Sequence, residues 1–101
     1  MVVGDWNDDI DAPAGSNVFA PLLGRPEAYA PLTLEPAQRD EYSYIPFRRL
    51  IDHIVVTADA AKRFPALAVD PVKLDEKIPG YATAVSDHRP VRADLVPIIP
   101  R

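Results

Sequence analysis

A chain of 101 residues with 48% hydrophobic and 26% charged side chains has globular composition and room for one domain built on a single core. Its formal charge of −4 and pI near 5.0 argue against a broad basic face that grips nucleic acid, although a local groove is still open to it. The absence of cysteine excludes a disulfide framework and a thiolate nucleophile or ligand, so any metal must be held by oxygen or imidazole.

No apolar run approaches the ~20 residues of a membrane helix. Met1 to Asp5 lacks the basic start and apolar stretch of a signal peptide, so the chain is expected to be soluble, with the cytoplasm favoured. Twelve prolines spread from Pro13 to Pro100, against four glycines, exclude long helices nearly everywhere.

Met1 to Gly4 reads as a strand running into the acidic loop Asp5-Trp6-Asn7-Asp8-Asp9. In extended backbone Asp5 and Asn7 share a face, and Trp6 points the other way into packing. From Asp11 to Arg39 the prolines predict loop with short helical turns, including one capped by Ser16 or Asn17 and ended at Gly24. Glu41 to Ile45 alternates like a strand, and Pro46 ends it. Arg48 to Thr57 is the strongest β signal, apolar on both faces except at Asp52 and His53, so both faces are expected to be covered. A carboxylate inside such a strand needs a partner, and His88 is the candidate for Asp52.

Ala58 to Phe64 predicts one or two helical turns, Leu67 to Val72 a short strand, Lys73 to Ile78 a half-exposed strand and Pro79-Gly80 a turn. Ser86-Asp87-His88-Arg89-Pro90 packs a hydroxyl, a carboxylate, an imidazole and a guanidinium between apolar flanks, as a loop at the mouth of a site would. A plain polar turn is the competing account of this segment and of Asp5 to Asp9. Val91 to Leu95 alternates like a strand wet on one face, and Pro97 to Arg101 ends the sheet.

Gly4-Asp5-Trp6-Asn7, Ile51-Asp52-His53-Ile54 and Ser86-Asp87-His88-Arg89-Pro90-Val91, in this order, resemble three motifs of the endonuclease/exonuclease/phosphatase family of DNase I-like, metal-dependent phosphodiesterases. The resemblance implies an α+β fold, mostly antiparallel sheet with short helices, equivalent to the C-terminal part of a two-layer β-sandwich. On this reading residues 1–101 form the later portion of the domain, without the earlier strands that carry the family's metal-binding Glu and an Asn.

The resemblance also implies roles. Asp5 would orient or deprotonate the attacking water, and Asn7 would hold that water or a phosphate oxygen. His88, oriented by Asp52, would donate to a nonbridging oxygen. Asp87, with Asp5 and His88, would face a hard divalent cation, Mg²⁺ or Mn²⁺. His53 points away from Asp52 and is read as structural; Arg89 could touch phosphate but is read as a surface arginine. The expected function is metal-dependent hydrolysis of a phosphate ester or phosphodiester, with nucleic acid among the candidate substrates. The alternative is an inactive half-domain whose open sheet face pairs with a second copy or with the missing N-terminal half.

Overall fold

The densest run of β-branched residues forms the central strand. In the computed structural model, which describes residues 1–98, β3 spans Asp52–Thr57 and buries the consecutive side chains His53, Ile54, Val55 and Val56. Adjacent strand residues face opposite ways, so both faces of β3 are covered, as its apolar sequence implies. β1 (Val2–Asp5) and β2 (Tyr29–Pro31) flank it, both antiparallel, in the order β1-β3-β2. The β1–β3 register sets Gly4 opposite His53 and Asp5 opposite Asp52.

β4 (Ala66–Pro71) and β5 (Val91–Leu95) make a second, two-stranded antiparallel sheet, and β5 lies against β3. The prolines hold the helices to about one turn: α1 (Ala20–Leu23), α2 (Leu34–Gln38), α3 (Ala58–Arg63), α4 (Leu74–Lys77) and α5 (Tyr81–Ala84). Five short helices and two antiparallel sheets among the described residues make the chain an α+β protein. A buried cluster of Ile10, Phe19, Ala37 and Leu50 has Trp6, Leu22 and Leu34 packed on it, and Phe19 joins it to His53 of β3.

Several expectations are corrected. Glu41 to Ile45 is not a strand. Tyr44 makes isolated bridges to Arg49 and His88, because the chain doubles back at once through a tight turn in which Arg48 has φ +52°. That turn also delays the central strand, which starts at Asp52 and not at Arg48. Lys73 to Ile78 contains α4: Leu74 and Ile78 also stand four apart, and Asp75 and Glu76 in the first turn favour a helix N-terminus. In the 11–39 region short helical turns are present, but Tyr29–Pro31 forms β2 where only loop and turns were expected, and α1 starts at Ala20 with Phe19 at its N-cap and no side-chain cap from Ser16 or Asn17. The Asn17 carboxamide accepts the Phe19 N–H at 2.8 Å, and Gly24 follows α1 directly. Of the tail expected to end the sheet, Ile99 to Arg101 lie outside the described residues, and β5 stops at Leu95.

Candidate functional site

Asp5 and Asp52 are directly opposed at the ends of β1 and β3, where two carboxylates on one face repel unless a cation or donor stands between them. His88 takes that place. Its Nδ1–H donates to Asp52 Oδ2 at 2.7 Å, and its Nε2 lies 3.9 Å from Asp5 Oδ2 and 3.9 Å from Asp87 Oδ1. The pair is partly shielded, with side-chain exposures of 19% for Asp52 and 26% for His88, whereas Asp5 is 51% exposed. Burial alone would lower the His88 pKa. The hydrogen bond to Asp52 and the charges of Asp52, Asp5 and Asp87 outweigh it and raise the pKa above the ordinary 6.5.

Local backbone chemistry aims these groups. Asn7 adopts φ +54°, a left-handed conformation that asparagine tolerates, and its N–H donates to Asp5 Oδ1 at 2.9 Å. The motif asparagine therefore fixes the carboxylate of Asp5 through its main chain. The Ser86 hydroxyl accepts the His88 N–H at 3.0 Å, and the Tyr81 hydroxyl donates to the His88 carbonyl at 3.0 Å, which closes the loop around the imidazole. The Tyr44 ring packs beside it with centroids 5.1 Å apart.

His53 is structural, in line with the sequence reading. Its Nε2 can only donate to the Asp8 carbonyl (2.7 Å), so the neutral ring accepts from Thr33 Oγ1 at Nδ1 (2.8 Å). Phe19 meets the ring edge-on at 4.9 Å, and burial holds its pKa below 6.5.

Arg89 is not a surface residue. Its side chain is 1% exposed, and its guanidinium donates to both oxygens of Asp75 (2.7 and 3.1 Å) and to the Tyr42 hydroxyl (2.8 Å). It also lies 3.9 Å over the Tyr42 ring. The bond to Asp75 raises the Arg89 pKa and lowers that of Asp75. Sequence reasoning missed this node, because nothing local ties a loop arginine to an aspartate fourteen residues earlier. A buried serine, Ser43, was missed too. A lone serine in a stretch that reads as a strand carries no pattern, so no sequence signal could have found it.

Asp5, Asp52 and His88 each offer one ligand atom, all within 4.8 Å of one another, and Asp87 stands beside this group. With His88 donating to Asp52, the oxygens of Asp5 and Asp87 are left for a cation, a hard set compatible with Mg²⁺ or Mn²⁺. A cleft of about 300 Å³ adjoins the site, between Val3, Gly4 and Ile54 on one side and Pro90 and Val91 on the other. The larger groove, about 770 Å³ between α2 and β4, contains none of these groups. Among the described residues no helix is long and apolar enough to cross a membrane. No protein-family model, curated protein or solved structure matches the chain.

Proposed function

We propose that the chain carries the later half of a metal-dependent phosphoester hydrolase site, of the endonuclease/exonuclease/phosphatase kind that its three motifs resemble. The observation that supports the reading is the 2.7 Å Asp52–His88 bond with Asp5 on the adjoining strand, facing the free ring nitrogen. Asp52 holds the imidazole in one orientation and favours its charged form. The Nε2–H then points at the gap between Asp5 and Asp87, where a nonbridging phosphate oxygen would accept it. Asp5, its other oxygen tied by the Asn7 N–H, would orient the attacking water and take up its proton as the water oxygen bonds to phosphorus, while the ester oxygen leaves with the bonding pair and is protonated by solvent.

Because Asp52 is committed to His88, Asp5 and Asp87 are the carboxylates open to a divalent cation. Magnesium keeps several waters and needs only one or two such ligands. When bound, the ion supplies charge neutralisation on the phosphate.

The test is hydrolysis of bis(4-nitrophenyl) phosphate with Mg²⁺, with Mn²⁺ and with chelator. Metal-dependent turnover should fall by about 10²–10⁴-fold in Asp5→Ala and in His88→Ala. Turnover that survives both substitutions refutes the reading.

The second reading, a self-associating half-domain, is favoured by one observation. β1 stands at a sheet edge with Val2 and Val3 55% and 61% exposed, and Leu67 on β4 is also open to solvent. A single monomeric mass across the working concentration range would dispose of it.

A further inference from the structure

We propose that Ser43 is the positioning residue of the Asp52–His88 pair. This rests on the reading above of that pair as the reactive centre. The two residues lie 36 positions apart on separate elements, Asp52 at the start of β3 and His88 in the loop before β5. Something must gauge the gap between those elements, because a shift of about 1 Å would break the hydrogen bond and misplace the donor.

Ser43 touches the backbone on both sides of that gap. Its hydroxyl oxygen accepts the N–H of Ile51 at 3.1 Å and of Asp52 at 3.2 Å. Its carbonyl accepts the N–H of Arg89, the residue next to His88, at 2.6 Å. Two positions on, the Ile45 N–H donates to the Asp87 carbonyl at 2.9 Å, so His88 is stitched to this segment on both sides. One residue thus fixes the amide of the carboxylate-bearing residue and the peptide that follows the imidazole.

The chemistry needs serine there. The residue is fully buried, at 0% exposure, so no water can stand in for it, and alanine would leave the two N–H groups it serves without their acceptor. Arg89, locked by Asp75 and Tyr42, keeps the far end of the loop from sliding off the Ser43 carbonyl.

The experiment is proton NMR on Ser43→Ala in the presence of chelator. The Nδ1–H resonance of His88 is identified as the signal that disappears in Asp52→Asn. In Ser43→Ala this resonance should broaden into the solvent signal while the methyl resonances of Ile10 and Leu50 hold their positions. Turnover of bis(4-nitrophenyl) phosphate should drop by about 10–100-fold. Ile10→Val, a core change away from the pair, should alter neither. A folded Ser43→Ala protein with the His88 resonance unchanged overturns the proposal.

Should Ser43→Ala fail to fold, hydrogen exchange on the unmodified chain decides. The amides of Asp52 and Arg89 should open together with equal protection, and an Arg89 amide that exchanges freely while Asp52 stays protected overturns it. If the unmodified chain hydrolyses no phosphodiester, the hydrolase reading falls, and the resonance and exchange measurements still decide the role of Ser43.

Discussion

The two histidines of this chain sit in opposite electrostatic surroundings, and proton binding should tell them apart. His88 has carboxylates on both ring nitrogens, which raises its pKa above 6.5. His53 is enclosed by Phe19, Thr33 and a carbonyl, and burial lowers its pKa. A raised pKa contributes stability that is complete below the unfolded value and is lost as pH rises through the folded one; a lowered pKa contributes above the unfolded value and is lost as pH falls through the folded one. In the metal-free protein the His88 ring protons should therefore titrate with a midpoint above 6.5 and those of His53 below it. The reverse order in an NMR titration would contradict the assigned partners. Asp52→Asn should lower the His88 midpoint, since the burial stays and the main counter-charge goes. At the same scale, Arg89→Ala removes the cation from a buried pair and leaves Asp75 facing an emptied space. That should cost about 3–5 kcal/mol in a denaturant titration, against less than about 1 kcal/mol for the exposed pair Arg25–Glu27.

Among the elements, α3 shows how closely local chemistry sets a boundary. Thr57 is both the last residue of β3 and the cap of the helix, its hydroxyl accepting the Ala60 N–H at 3.1 Å. Thr57→Ala should lower stability by about 1 kcal/mol with the site unaltered, and Thr57→Ser should restore most of it. Elements of this kind were legible in the sequence. β3 announced itself by its β-branched run, β5 by alternation, β1 by its apolar start, and α3 by a helical stretch stopped at Pro65. The failures came where two periods fit equally well. Lys73 to Ile78 satisfies both a strand alternation and a four-residue helical spacing, and the choice was made by the acidic first turn and by Asp75 reaching Arg89. Glu41 to Ile45 alternates, yet its backbone is spent on Arg49, Asp87 and Arg89 and not on a neighbouring strand. For the site, the Asp52–His88 pairing could be argued from the cost of an unpartnered carboxylate in an apolar strand. Nothing comparable pointed to Arg89 or Ser43, because the partners of a buried polar residue are set by tertiary placement and leave no trace in spacing.

At the scale of the whole molecule the chain is a slab, 46 by 40 by 20 Å, with apolar side chains of β1 and β4 open to solvent. Val3→Lys on the edge strand should shift a concentration-dependent light-scattering mass toward the monomer without loss of secondary structure, because charge on an edge opposes strand addition. A mass that is unmoved would place any association elsewhere. The groups of the proposed site are divided between the two sheets of this slab. Asp5 and Asp52 belong to the three-stranded sheet, whereas Asp87 and His88 belong to the loop that feeds the two-stranded one. An oxyanion bound there with a divalent cation, as proposed, would be a tie across the molecule, and its binding would be readable as heat resistance. Free energy of binding to the folded state adds directly to the free energy of unfolding, about 2.7 kcal/mol at a hundred times the dissociation constant. A melting curve in rising vanadate or phosphate, with and without His88, would give the affinity of the site before any substrate is known.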